Sequence, residues 1–481
     1  MNLPRLIVMS SLEIIFAGLA VSLSLLALFH LLIKHRDHRS AAFWVALVVF
    51  LPFFGACLYG LLGINFVRRR GRHYRGTIGP AYRDPAPICP LFEDSEFADR
   101  DCSLAVTLDR ISRFKFTSGN HVSPLLNGDE AMPAMLEAIR NARETVALCS
   151  YIFEANHIGA DFVRELVSAH QRGVQVRVIV DDAGTRYSWP PVTRELGMQG
   201  VPVKRFMPNR FLIRLLTMNL RNHKKLLIVD GQLAFTGGMN IREGNMISRN
   251  PRHPVRDLHF KVTGPVVTQM QRVFAEDWAF CDGEVLEEKL WFHDATTNGK
   301  VHALGIIDGP DEDFDVMSIA LFAALNAARL SVKIVTPYFL PPATLMAALK
   351  LCATRGVDVS IITPEKNNIA LVAWAAQTLY PELIEAGCRI YESPAPFDHS
   401  KILLIDDTWS CLGSTNWDPR SLRLNFEFNL VCHNRNLCEN LAAIFATKKT
   451  ESREVTEAFL AAMSLGVRLR NGISRLFIPL L

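Results

Sequence analysis

The sequence predicts an α/β protein of two duplicated lobes, each a mixed sheet flanked by helices, placed after an N-terminal two-helix transmembrane hairpin. Three observations lead there. Two apolar runs without a formally charged residue open the chain, at 14–33 and 41–64. Behind them, strand-like apolar runs alternate with segments of helical spacing. One stretch also occurs twice: Asn222-His223-Lys224-Lys225, leading to Asp230 and Thr236-Gly237-Gly238-Met239-Asn240, is matched by Asp398-His399-Ser400-Lys401, leading to Asp406 and Gly413-Ser414-Thr415-Asn416.

A helix needs about 20 apolar residues to cross a bilayer core, and both opening runs are long enough. Trp44 and Tyr59 stand toward the ends of the second run, as interfacial aromatics do, and Pro52 should kink it. The first run exceeds the roughly 7–15 residues of a signal-peptide core and has no clear small-residue cleavage site, so retention is expected. Between the spans, residues 34–39 hold Lys34, Arg36 and Arg39; after the second span come Arg68, Arg69, Arg70, Arg72 and Arg75. The heavier basic cluster marks the cytoplasmic side, which puts both termini and the rest of the chain in the cytoplasm.

The expected organisation is a transmembrane hairpin at 1–66, a basic juxtamembrane segment and linker at 67–112, a first lobe at 113–290, a second lobe at 291–440 and an amphipathic tail at 441–481. The linker carries Pro85, Pro87 and Pro90 and an acidic patch, and reads as an extended connector. In the first lobe a helix at 131–142 leads to a strand at 146–153, a helix at 159–171 and a strand at 174–181. The second lobe repeats this with a helix at 318–329, a strand at 332–339, a helix at 343–354 and a strand at 357–363. Tyr151 matches Tyr338, and Arg172-Gly173-Val174 matches Arg355-Gly356-Val357. A short strand before each motif recurs as well, at 200–203 and 387–390.

A formal net charge of +4 over 481 residues is too small to argue for nucleic acid, and no basic stripe with interleaved aromatics appears. The ten cysteines form no CxxC pair and no zinc-ligand spacing, so neither a disulfide framework nor a metal site is expected.

In both copies the lysine follows the histidine by two positions, the aspartate follows the lysine by five and an asparagine follows the histidine by seventeen. Packing alone does not require a lysine two places from a histidine in both lobes. Residues two apart on a strand share a face, so His and Lys reach one anion together. His223, Lys225, His399 and Lys401 then form one site suited to a phosphodiester. The lysines neutralise non-bridging oxygens, and Asn240 and Asn416 donate to the charge of a five-coordinate transition state. One imidazole attacks phosphorus while the other protonates the leaving alkoxide, and a phosphohistidine splits the displacement into two steps. An imidazole nucleophile needs its second nitrogen held; Asp257, following His223, and Glu427, following His399, are the candidate orienters. Asp230 and Asp406 complete the catalytic candidates by motif, although a turn-forming structural role fits them at least as well.

The paired His-x-Lys-x4-Asp pattern with its following glycine and asparagine resembles the phospholipase D superfamily. More narrowly, the two spans, the basic stretch, Arg221-Asn222-His223, Thr336-Pro337-Tyr338-Phe339 and 420–427 resemble bacterial cardiolipin synthases; Val255 departs from the family's usual tryptophan. The resemblance implies two phospholipase D-like lobes in a multi-pass protein of the bacterial inner membrane. It implies reversible phosphatidyl transfer between two phosphatidylglycerol molecules, giving cardiolipin and glycerol, with no cofactor and no metal. The partners it implies are anionic phospholipids and the membrane, with no nucleic acid and no obligatory protein partner. Consistent with this, the chain has neither a G-x4-G-K-[ST] loop nor the Asp-Gly-x2-Ala-Arg signature of transferases using a CDP-activated lipid. By resemblance His223 is the nucleophile. Competing functions are a hydrolytic phospholipase D and a silent scaffold binding anionic lipid. The apolar stretches at 211–218 and 469–481 each read either as interfacial or as buried helix.

Overall fold

The computed structural model describes residues 11–34, 38–60, 92, 98–208, 220–293, 296–297, 299–310, 313 and 315–478. The arginine cluster after the second apolar run and the stretch at 211–218 lie outside them. In the N-terminal unit Ser11–Lys34 is one helix, and its Ile14–Ile33 portion is long and apolar enough to cross a membrane, alone among the helices of the described residues. The second run is broken at the proline: His38–Phe50 and Pro52–Leu58 are separate helices, because Pro52 has no N–H for the preceding turn. Leu31, Trp44, Val48, Ala56 and Tyr59 bury against one another, and the Tyr59 hydroxyl lies 2.7 Å from His30 Nδ1.

The second unit holds both lobes, built on one continuous sheet. In the first lobe Thr145–Ser150, Gln175–Asp181 and Val203–Phe206 run parallel. The motif strand Leu226–Val229 then pairs antiparallel with Thr145–Ser150, followed by Leu233–Gly237, Leu258–Thr263 and Thr117–Leu126. The second lobe repeats the order with parallel strands Ser331–Val335, Asp358–Pro364 and Arg389–Ser393. Its motif strand Ile402–Ile405 is followed by Trp409–Gly413, Asn425–His433 and Val301–Asp308. The lobes join where Thr117–Leu126 pairs with Val301–Asp308. Strand runs such as Thr145–Ser150 are buried throughout, as expected with helices on both faces. The helices Asn127–Asn141 and Ile158–Gln171 bury Met132, Ile139, Phe162 and Leu166 in that core.

The linker is not a plain connector throughout. Ala98–Ile111 is a helix whose Arg100 and Asp101 are buried. Arg100 meets Asp406 at 2.5 Å, and Asp101 accepts from Trp409 Nε1 at 2.7 Å and pairs with His433 at 3.0 Å. In the tail, Arg453–Val455 adds an antiparallel strand to the sheet edge. Cys149, Cys352, Cys388, Cys432 and Cys438 are buried free thiols, but Cys102 is disulfide-bonded, where the sequence led to no disulfide being expected.

Candidate active site

Each motif histidine sits where a short strand of its own lobe lies against the other lobe. Arg221–Asn222 pairs in parallel with Asn425 and Phe426, and Phe397–Asp398 with Val255–Arg256. The next residue carries the pairing on: His223 N–H donates to the Phe426 carbonyl at 2.9 Å, and His399 N–H to the Arg256 carbonyl at 2.7 Å. This register sets His223 beside Glu427 and His399 beside Asp257. Nδ1 of His223 lies 3.0 Å from Glu427 Oε2, and Nδ1 of His399 lies 2.9 Å from Asp257 Oδ2.

The candidate orienters are therefore both present, but crossed. The sequence attaches Asp257 to His223 and Glu427 to His399 because each acid follows that histidine along the chain. In the fold each histidine takes its carboxylate from the opposite lobe, because its backbone partner strand belongs to that lobe. A carboxylate on Nδ1–H leaves the Nε2 lone pair available. The two rings face one another with centroids 6.5 Å apart and planes at 80°.

Lys225 and Lys401 are almost fully buried. Lys225 Nζ donates to the His223 carbonyl at 2.6 Å; Lys401 Nζ donates to the His399 carbonyl and sits 3.0 Å from His399 Nδ1. Burial pushes Lys225 down to about 7 and Lys401 down to about 8, with Glu427 and Asp257 opposing the shift. It also lowers both histidines, His399 to about 4, where Lys401 adds to the effect. Burial works to raise Glu427, but His223, Lys225 and the Ser414 hydroxyl outweigh it and hold the carboxyl low. With both imidazoles neutral, the two lysines are balanced by the two carboxylates, so an arriving anion favours a proton on an imidazole.

Asn240 Oδ1 accepts from Ile152 N–H at 3.1 Å, which leaves its amide hydrogens for a ligand. Asn416 donates to Ser421 Oγ at 3.0 Å, and its Oδ1 is buried without a partner. Asp230 and Asp406, catalytic candidates by motif, are engaged with backbone amides. Each lies just past its motif strand, five residues and about 16 Å from the motif lysine at some 3.3 Å per residue. Asp230 accepts the backbone N–H groups of Arg143, Glu144 and Thr145; Asp406 accepts those of Arg329, Leu330 and Ser331. Lys224, inside the motif, is also structural, paired with Asp277 at 2.8 Å.

Residues that the sequence reading gave no role also belong here. Tyr151 lies edge-on to His223 at 5.1 Å and Tyr338 to His399 at 6.2 Å; their match in the repeat was the available signal. Ser414 and Asn425 both donate to Glu427, and Leu258 N–H donates to Asp257 at 2.8 Å. Among the described residues no group of three or more His, Cys, Asp or Glu side chains is arranged to hold a metal ion.

Two lobes on one sheet, each giving a His-x-Lys pair to a shared centre, define a duplicated protein of the phospholipase D superfamily. The solved phosphatidylserine synthase of Haemophilus influenzae Rd KW20 has this fold: it aligns with a TM-score of 0.57 over 75% of this chain and 93% of that one, at 14% identity. Residues 135–278 and 321–449 match the family described as cardiolipin synthase, PLD-like domain, and residues 22–63 match the phospholipase D-nuclease N-terminal family. The chain belongs to the cardiolipin synthase, PLD-like domain family. Among its relatives, the cardiolipin synthase of Staphylococcus aureus strain Mu50 is 28% identical over 97% of this chain and 96% of its own length. That of Listeria monocytogenes serotype 4a strain HCC23 is also 28% identical, over 99% and 98%.

Proposed function

We propose that the protein is a phosphatidyltransferase that joins two phosphatidylglycerol molecules into cardiolipin and releases glycerol. One observation carries the reading: two facing imidazoles, each held on Nδ1 by a carboxylate, with a buried lysine beside each. His223 Nε2 attacks the phosphorus of the first lipid, while His399 gives a proton to the departing glycerol oxygen. The phosphatidyl group is then bonded to His223. His399, now neutral, takes the proton from a hydroxyl of the second phosphatidylglycerol, whose oxygen displaces His223. Lys225, Lys401 and the Asn240 amide hold the phosphoryl oxygens; Asn416 needs its side chain turned from Ser421 to join them. The anionic phosphodiester supplies the negative charge that raises His399 into the range where it carries a proton.

The same reading places the enzyme in the bacterial inner membrane as a multi-pass protein, with the second apolar run as a kinked span and the two lobes in the cytoplasm. The apolar helix Ile14–Ile33 and the arginine cluster of the sequence support it. The lobes are taken as residues 113–290 and 291–440. Purified protein incubated with labelled phosphatidylglycerol should yield labelled cardiolipin and free glycerol. Phosphatidic acid as the main product would make it a hydrolase, and unchanged lipid would leave the scaffold reading. His223→Ala and His399→Ala should each abolish turnover with phosphatidylglycerol.

A further inference from the structure

The C-terminal helix Leu465–Arg475 presents an apolar stripe to solvent. Leu465, Leu469, Ile473 and Leu476 are 81%, 63%, 50% and 76% exposed, at spacings of four, four and three residues that align them on one face. The opposite face is buried: Asn471 donates to Gln377 at 2.9 Å, and Ser474 is covered. Arg468 and Arg475 are exposed along one flank of the stripe, and on the other Arg470 lies over the Trp374 ring at 4.4 Å. A stripe of leucine and isoleucine bordered by arginines is the composition of a helix lying in an anionic membrane interface.

Its place in the fold ties it to the catalytic centre. The helix packs on Ala370–Ala376, which begins just after Asn368. Asn368 accepts from the Tyr338 hydroxyl at 2.9 Å, and Tyr338 lies on the His399 ring. The first lobe has an exposed aromatic of its own: Trp189, in the loop that follows the strand Gln175–Asp181, is 88% exposed. An exposed tryptophan is a preferred interfacial anchor.

We propose that the C-terminal helix and Trp189 form a membrane-docking surface that seats the mouth of the two-histidine site on an anionic bilayer, so that lipid phosphodiesters enter from the interface. The occupant is the lipid surface, chosen because arginines border the apolar stripe and because the helix connects through Asn368 and Tyr338 to a phosphodiester site. This rests on the functional reading above. Docking is distinct from anchoring: a spanning helix tethers the lobes, whereas this surface sets their orientation.

The test uses full-length protein in nanodiscs containing phosphatidylglycerol, with Leu469→Glu/Ile473→Glu as the variant, since both side chains are exposed. Amide hydrogen exchange at 465–477 should be slower in nanodiscs than in detergent for the wild type, and this protection should vanish in the variant. Activity on bilayer phosphatidylglycerol should fall about tenfold or more, the loss expected when two apolar side chains leave the interface. Activity on monomeric short-chain phosphatidylglycerol should stay within about twofold, since such a substrate needs no docked surface. Equal exchange in nanodiscs and detergent, or equal losses on both substrates, would overturn the proposal. If the wild type transforms neither substrate, the functional reading fails, and the exchange experiment still decides docking by itself.

Discussion

The crossed pairing of histidines and carboxylates gives the two halves of the site separable chemistry. In Asp257→Asn the amide keeps a partner for His399 Nδ1 but removes the charge that stabilises its imidazolium. Two unit charges 2.9 Å apart attract by about 6 kcal/mol at an effective dielectric of about 20. The retained hydrogen bond returns part of that, leaving roughly 4 kcal/mol, or about a thousandfold in kcat with phosphatidylglycerol. Glu427→Gln should cost a similar factor by weakening support for the phosphorylated His223. The two variants part company on phosphatidyl-p-nitrophenol, whose phenolate departs without a proton. A stopped-flow burst of nitrophenol should persist in Asp257→Asn at near wild-type rate and be slowed about a thousandfold in Glu427→Gln. If Asp257→Asn instead lost the burst and Glu427→Gln kept it, His399 would be the nucleophile. Equal loss in both would refute the division of labour between the two couples.

Other expectations follow from the same geometry. A Cβ at Gly238 would sit 2.5 Å from Asp257 Oδ1, so Gly238→Ala should displace the orienter of His399 and lower kcat at least about a hundredfold with little change in melting temperature, a combination that calorimetry and product assays together check. Asp406→Ala strands three backbone N–H groups and takes from buried Arg100 one of its two carboxylate partners, Asp101 remaining, and should cost about 2–4 kcal/mol in denaturant unfolding while kcat of the folded fraction stays within a few-fold. Asp230→Ala, which strands the amides without an arginine, should cost less. Burial pushes Lys225 and Lys401 down to about 7 and about 8, so kcat/KM should fall as pH rises through that range. Stability of the empty enzyme should move the other way. Both folded values lie below that of an unfolded lysine, the unfolded chain binds more protons from about pH 7 to about 10, and unfolding free energy should therefore rise with pH across that window.

The duplication, the His-x-Lys pairs and the parallel strands of each lobe were legible because they are written in spacing and periodicity. Even the shared fate of the two aspartates was half visible, since an aspartate at a strand end commonly caps a turn; Asp230 and Asp406 have φ of 50° and 51° and bind backbone amides leading into a neighbouring strand. What spacing cannot encode is which strand lies beside which across the lobe interface. Glu427 follows His399 by 28 residues and is nonetheless the partner of His223, because Asn222 registers against Phe426. Helix Ala98–Ile111 was missed for a similar reason: its Arg100 and Asp101 look like surface charges until Asp406, Trp409 and His433 are brought to them. The C-terminal helix was left between two readings because burial depends on what its polar face meets, and Asn471 with Gln377 fixes that face inward.

The crossing also bears on why both lobes are kept. The approximate twofold relation between the lobes runs between Thr117–Leu126 and Val301–Asp308, and it places each histidine strand against the carboxylate strand of the other half. Either lobe alone would hold a histidine without its orienter and a lysine without the second cation. Burying the two lysines is electrostatically costly, which is why both are depressed, and only the docked pair of lobes supplies the two buried carboxylates that offset it. The same interface that orients the imidazoles therefore makes the accumulation of charge tolerable. A phosphodiester completes the balance, so binding energy is concentrated at the reacting group, where an enzyme exchanging one phosphodiester for another needs it.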